Sequence, residues 1–216
     1  MAKSKILKEL VNNQISLEIA LSRLLIIAND IEDEELAKWA ENELNGYLKD
    51  SKIPCYRTIR SFNLLYSGIN GRFQITNKPL SIAIFDKKTI DKISINDFSD
   101  GIQSLQTFSD AEDGSVSIDL TYLAGIVEKN TGIQCINIRL VFAKSVFQKI
   151  LGEVRTKLIK IFIELDKKFG CLDDLDISKL DGDIGKVKDT IYYIIYQDNS
   201  VKIGNDNKIE KSNFES

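Results

Sequence analysis

WAENELNGYLKDSKIPCYR, which runs from Trp39 to Arg57, is the stretch that decides how the first part of this chain folds. Trp39 and Glu43 stand one helical turn apart, and Gly46 follows the last periodic position. Glycine there predicts the end of a helix, because it enters the left-handed region without a Cβ clash. Pro54 then favours an extended approach to the next element.

The end of a helix and the start of an extended segment explain the glycine and the proline, but they do not explain the aromatic and charged residues around them. One interpretation is a junction, in which the third helix docks against the first strand and Arg57 hydrogen-bonds the carbonyls of that helix end. The other is a recognition surface, because Trp, Tyr and Arg dominate binding hot spots. The candidate residues for such a surface are Trp39, Glu43, Asn45, Tyr47, Tyr56 and Arg57.

The overall composition is ordinary for a globular protein, with 43% hydrophobic and 28% charged residues among 216. This length predicts one well-buried core plus an appendage. The formal net charge of −3 argues against a general polyanion-binding surface, and the basic residues are interleaved with acids. Nucleic acid is therefore not indicated as a partner. Apolar runs are too short to cross a bilayer, so a membrane partner is not expected either.

The chain contains no histidine, which removes the commonest general base near neutral pH and the commonest transition-metal ligand. Imidazole-dependent triads and HExxH zinc sites are excluded, and neither a Walker A nor a GxGxxG sequence occurs. We therefore assign no catalytic, cofactor-binding or metal-ligating residues. Three widely spaced cysteines without a CxxC pair favour a reducing compartment, and we expect a cytoplasmic protein.

Hydrophobic spacing predicts three short helices at the start of the chain. The first covers about Lys3 to Asn12, and the second follows Ser16, which suits an N-cap. The third opens at Asp33, where acidic residues match the positive end of the helix dipole. Short connections predict that these helices pack antiparallel.

Beyond the third helix the hydrophobic period changes to that of strands. Tyr56 to Tyr66 and Cys135 to Phe142 approach alternation, and Asn70-Gly71 is a strong hairpin signal. Helical spacing returns over about Asn96 to Phe108 and again over Ser145 to Phe169. The last of these carries a continuous apolar stripe, which predicts a central core helix.

These elements predict an α+β fold: an N-terminal helical bundle packed with a small, mainly antiparallel sheet and a long late helix, followed by a short Asn-rich β tail. We expect a globular domain over residues 1–170, an acidic linker over 171–189 and a β-rich tail over 190–216. The tail alternates apolar positions with Asn-rich turns. It is either a self-association segment, which would make the protein a homo-oligomer, or a frayed terminus.

Two motifs resemble the AbiTii family of bacterial abortive-infection proteins: Trp39-x3-Glu43-Leu44-Asn45-Gly46-Tyr47 and Ile53-Pro54-x-Tyr56-Arg57. Ser16-Leu17-x3-Leu21-x2-Leu24 is similar to the second helix of that family, and Arg155-x-Lys157-Leu158 leading to Glu164-Leu165 is similar to its late helix. The likeness spans roughly residues 3–170.

The resemblance implies a role in phage defence, in which growth of an infected cell stops so that phage do not spread. It supplies no catalytic residues. A non-enzymatic module that assembles through its tail and responds to a phage component or a co-encoded defence protein is the first hypothesis. The alternative is a toxic effector, such as a metal-dependent nuclease that uses carboxylates like Glu43 or Asp119.

Overall fold

The three predicted N-terminal helices are present in a computed structural model that describes residues 3–170, 172–173 and 185–196. They are α1 (Lys5–Val11), α2 (Leu17–Asp30) and α3 (Glu34–Asn45). Ser16 caps α2, since its side chain accepts a hydrogen bond from the Ile19 amide at 3.2 Å. Asp33 caps α3 in the same way, through the Leu36 amide at 3.1 Å. The predicted Ser16 N-cap is confirmed, and the third helix begins at the acidic residues that were predicted to open it.

Within the described ranges, the strands form two separate antiparallel groups. A two-residue pair joins β1 (Thr58–Ile59) to β4 (Asn96–Asp97). The main sheet has four strands in the order β3-β2-β6-β5. Its members are β2 (Asn63–Asn70), β3 (Phe73–Pro79), β5 (Ser115–Asp119) and β6 (Gln134–Ala143).

The predicted hairpin at Asn70-Gly71 is confirmed, because it joins β2 to β3 with Asn70 opposite Phe73. Gly71 has a φ of +59°, a conformation that favours glycine. The predicted strand over Cys135 to Phe142 is confirmed as β6, which lies between β2 and β5.

The middle helices are α4 (Lys87–Ser94), α5 (Ile102–Ser109) and α6 (Ala124–Thr131). Sequence spacing predicted one helix from about Asn96 to Phe108, and its first part is wrong. Asn96 and Asp97 pair with β1 instead, and α5 begins only after Gly101, its N-cap residue. Helix α4 was missed because so short a helix buries only Ile93 completely.

Helix α7 (Lys144–Phe169) is the predicted central core helix, and its 26 residues span about 39 Å. Its first turns, including Phe147 and Ile150, pack with the buried face of the sheet. Its later turns, from Val154 to Leu165, pack with the N-terminal helices. One helix therefore joins the helical and sheet halves of the core, and the α+β fold is confirmed.

The tail prediction needs a correction for residues 190–196. These belong to helix α8 (Gly185–Tyr196), as do the last residues of the predicted acidic linker. Ile191 and Ile195, one turn apart, are both 1% exposed within the helical core, so packing against the domain favours a helix here. Residues 197–216, the remainder of the predicted β tail, lie outside the described residues. In the described part of the chain no helix is long and apolar enough to cross a membrane.

Candidate functional site

Helix α3 and the loop after it bring the aromatic and charged residues of the opening stretch together. Trp39 and Glu43 lie on the buried side of α3, which ends at Gly46 with a φ of +100°. Tyr47 is the next residue. After Pro54, a short 3-10 turn over Cys55–Arg57 places Tyr56 and Arg57 beside the same helix.

A bidentate ion pair between Glu43 and Arg57 lies at the centre of this arrangement. The Arg57 Nη2 donates to Glu43 Oε2 at 2.6 Å, and its Nε donates to Oε1 at 3.1 Å. Both side chains are 0% exposed. Burial of two charges is costly, and such a pair is stable only when geometry is good and the remaining polar atoms are satisfied.

Two tyrosines supply the further hydrogen bonds that Glu43 needs. The hydroxyls of Tyr47 and Tyr56 each donate to Glu43 Oε1 at 2.6 Å. The indole nitrogen of Trp39 donates to the Tyr56 hydroxyl oxygen at 3.0 Å. The carboxylate thus accepts four hydrogen bonds from three side chains. We call these five residues, Trp39, Glu43, Tyr47, Tyr56 and Arg57, the Glu43 cluster.

The other side of the Arg57 guanidinium donates hydrogen bonds to the loop that precedes α5. The Arg57 Nη1 donates to the backbone carbonyls of Phe98 at 2.9 Å and Asp100 at 2.7 Å. The Phe98 amide returns a bond to the Arg57 carbonyl at 3.0 Å. Arg57 therefore ties α3 to residues 98–100 through one side chain.

Two glycines allow this loop to approach the end of α3 closely. The Tyr47 amide donates to the Ser99 carbonyl at 2.7 Å. A Cβ atom on Gly46 would lie 2.8 Å from that same carbonyl oxygen, and a Cβ on Gly101 would overlap the carbonyl oxygen of Leu44. No larger residue fits either position without a backbone shift, so both glycines are required by close packing.

Three groups of the Glu43 cluster, the two phenols and the guanidinium, have pKa values that keep each in one protonation state. Burial, reinforced by the adjacent Glu43 carboxylate, raises the pKa of Tyr47 and of Tyr56 well above the ordinary value. Desolvation opposes the charge on Arg57, but attraction to Glu43 prevails and raises the Arg57 pKa. The phenols stay neutral donors and the guanidinium stays charged near neutral pH, so these groups do not exchange protons as a general acid or base would.

The structure brings five of the six predicted site residues together, four of them buried inside the protein and the fifth, Tyr56, partly exposed. Trp39, Glu43 and Arg57 are fully buried, and Tyr47 is 6% exposed. In this conformation they form a junction between elements rather than a surface. One detail of the predicted junction is wrong, because Arg57 binds carbonyls of the loop before α5 and not those of the α3 end. Asn45 is exposed at the end of α3, and its part in an interaction stays a prediction.

Sequence reasoning missed Lys157 as a neighbour of this cluster. Its ammonium lies 5.0 Å from the centre of the Tyr56 ring and donates to the carbonyl of Ile194 in α8 at 2.6 Å. The side chain is 9% exposed. The sequence contains a signal for its burial, because this lysine falls within the apolar stripe of α7, between Val154 and Leu158.

Four arginines could bind a phosphate jointly if the fold brought them together, but each is used separately. Arg57 is enclosed in the Glu43 cluster, while Arg139 donates to the Asn77 side chain at 2.6 Å and Arg155 to the Leu10 carbonyl at 2.9 Å. Arg60 is exposed. Each of the partners named here belongs to a different element, so the fold gives these four side chains no common role.

The carboxylates considered for metal-dependent chemistry are also engaged in local contacts. Glu43 is saturated by its cluster, and Asp119 accepts hydrogen bonds from the amide of Thr121 at 2.8 Å and from its hydroxyl at 2.5 Å. Hydrogen bonding to Thr121 lowers the pKa of Asp119. Among the residues that the structure describes, no three acidic or cysteine side chains are grouped so that they could hold a metal ion.

Comparison with known families gives a match that covers most of the chain. The family model AbiTii matches residues 4–185, a range that contains the whole Glu43 cluster and ends at the first residue of α8. No curated protein matches the chain, and no solved structure does.

Proposed function

Because the chain belongs to the AbiTii family, and is therefore an abortive-infection protein of phage defence, we propose that it acts by binding other macromolecules rather than by turning over a substrate. In this proposal the globular domain is a rigid scaffold. Its C-terminal segment joins copies of the protein, and an exposed surface of α8 contacts a phage component or a co-encoded defence protein.

The observation that carries this proposal is the internal use of the residues that mark the family. A catalytic group must reach its substrate, directly or through one water molecule. Glu43 and Arg57 are instead 0% exposed and hydrogen-bonded to each other and to neighbouring protein groups. The signature therefore supports a structural role, and activity is left to the surface.

Helix α8 offers the aromatic surface that such a module needs. Tyr192 is 45% exposed and Tyr193 is 53% exposed. Lys52 donates to the Tyr192 hydroxyl at 3.0 Å and lies 4.0 Å from the centre of the Tyr196 ring. Tyrosines with a fixed position and a polar tip are enriched in binding hot spots, because they add contact area at a low cost in conformational entropy.

Replacing Tyr193 with alanine is expected to abolish or strongly reduce protection while leaving the fold intact. Loss of a hot-spot side chain costs about 2 kcal/mol or more, which corresponds to roughly 30-fold weaker binding. Efficiency of plating measures protection, and thermal unfolding measures the fold. Tyr122→Ala is the matched control, because Tyr122 is 65% exposed on a different element. Full protection by Tyr193→Ala would remove α8 from the proposed contact surface.

Ending the chain at Tyr196 is expected to convert an oligomer into a monomer without lowering the melting temperature of the domain. Residues 197–216 are absent from such a chain, while Ile191 and Ile195 keep their places in the core. Light scattering coupled to gel filtration gives the mass, and plaque assays give protection. A second chain that ends at Asp189 also loses the buried Ile191 and Ile195, so its melting temperature is expected to fall. If the intact and shortened chains have the same number of subunits and protect equally, self-association through the tail is contradicted.

A further inference from the structure

The two edges of the main sheet differ in how they are protected against an added strand. At the β3 edge, Asn77 has a φ of +51°, and the register with β2 shifts beside it. Lys78 and Pro79 follow on the same strand. A bulge, a lysine and a proline are the devices by which natural proteins block edge-to-edge pairing. The β3 edge is therefore closed to a partner strand.

The β5 edge carries none of these devices. Its sequence is SVSID over Ser115–Asp119, with neither proline nor lysine, and its five residues pair in unbroken register with β6. Among the described residues, β5 is the last strand on this side of the sheet. An edge strand that is regular and unprotected is a template for pairing with another chain.

The hydrogen-bond pattern identifies which backbone groups of β5 point outward. Leu120 donates to the Ile138 carbonyl at 2.9 Å, and Lys144 donates to the Gly114 carbonyl at 3.0 Å. In an antiparallel pair the hydrogen-bonded positions alternate, so the backbone amides and carbonyls of Val116 and Ile118 also point toward β6. The amides and carbonyls of the intervening positions, Ser115, Ser117 and Asp119, consequently lie along the open edge.

Side chains at this edge favour a strand that is apolar on one side and basic on the other. Val116 is half-buried and Ile118 is 42% exposed on the side of the sheet that packs against the core. The charged residues within β5 and just before it are acidic (Glu112, Asp113 and Asp119), and Asp119 at its end lies opposite Arg139 of β6. An occupant with β-branched residues on one face and a lysine on the other would match both features.

Two copies of β5 are a poor match for each other. A two-fold antiparallel pairing centred on Ser117 would bring Asp119 of one copy close to Asp113 of the next, and like charges across strands destabilise a pair. The chain itself contains a better match in the sequence SVKIG of residues 200–204, because an extended strand of this sequence would have Val201 and Ile203 on one face and Lys202 on the other.

We propose that the open edge of β5 binds residues 200–204 of a second copy as an added strand. Val201 and Ile203 then extend the apolar face beside Val116 and Ile118, and Lys202 lies on the opposite face near Asp119. This inference rests on the proposed self-association, for which it supplies the receiving surface. Main-chain hydrogen bonds give affinity in such strand addition, and alternate side chains give specificity.

The test compares two full-length variants with two matched controls by light scattering over a range of concentrations. Ser117→Pro removes an outward amide that β6 does not use, whereas Ser117→Ala keeps it. Lys202→Glu places a like charge near Asp119, whereas Lys211→Glu makes the same change of charge outside the docking segment. We expect Ser117→Pro and Lys202→Glu to raise the dissociation constant of the oligomer at least tenfold, and the controls to leave it unchanged.

The outcomes separate this inference from the proposed function. If the chain that ends at Tyr196 is monomeric but both test variants assemble like the intact protein, the tail binds elsewhere and the β5 inference is overturned. If the intact protein is itself monomeric, self-association fails as a whole. Lys202→Glu leaves β5 unaltered, so this variant keeps the test valid even where Ser117→Pro unfolds. Thermal unfolding shows whether each variant is folded.

Discussion

Replacing Arg57 with methionine is expected to lower the free energy of unfolding by about 3–5 kcal/mol, because it leaves the Glu43 carboxylate buried without its counter-ion. The same change removes the donors to Phe98 and Asp100, whose carbonyls hold the loop before α5. For a chain of this length the melting temperature should fall by roughly 10 °C. Chemical denaturation and thermal melting, followed by circular dichroism, measure both quantities.

Arg60→Met is the matched control for this prediction. Arg60 stands three residues further along the chain and is exposed, so its replacement should change stability by no more than about 0.5 kcal/mol. The double variant Glu43→Gln with Arg57→Met should lose less stability than the sum of the two single changes, since the two groups stabilise each other. An Arg57→Met protein that melts like the unaltered chain yet fails to protect cells would instead revive the recognition interpretation.

Gly101→Ala is expected to destabilise the protein by about 2–3 kcal/mol, even though only one methyl group is added. The new Cβ would overlap the Leu44 carbonyl oxygen, which is backbone and cannot rotate away. To remove this overlap, the end of the loop next to α5 must move away from α3. That movement weakens the hydrogen bonds from Arg57 to the carbonyls of Phe98 and Asp100. Denaturant titration of purified protein measures the loss.

A control with the opposite expected sign exists in α7. Gly152 is a helical glycine with open space where its Cβ would stand. Gly152→Ala should therefore raise stability by about 0.5–1 kcal/mol, the usual gain in a helix interior. If both variants shift stability equally, helix propensity rather than close packing governs Gly101, and the contact between the α3 end and the loop is not required.

Local chemistry made several elements predictable. Ser16 and Asp33 cap their helices because a short side-chain oxygen next to the first turn satisfies an amide wherever the rest of the chain goes. Asn70-Gly71 forms its turn because glycine there accepts a positive φ. The apolar stripe of α7 is buried as predicted, because it is long and continuous. The match to the AbiTii family was likewise predicted from the two motifs that flank the loop after α3.

Other elements depended on contacts distant in sequence and could not be predicted. Asn96 and Asp97 have helical spacing around them, yet they pair with β1, which is nearly forty residues earlier. Residues 190–196 were predicted as part of a β-rich tail, but they are helical because Ile191 and Ile195 are buried in the helical core. In both places tertiary packing overrides a weak local preference.

By itself, the sequence determined the α+β class, the helix caps, the hairpin and the family, because each depends on neighbours along the chain or on a motif. Tertiary structure alone decided where the residues of the family motif lie and what they contact. Glu43 and Arg57 are fourteen positions apart, and only the fold shows that their charges meet in the interior, saturated by Tyr47, Tyr56 and two loop carbonyls. A charged pair becomes a structural centre rather than a surface through burial and hydrogen bonding, and neither is encoded by residue type.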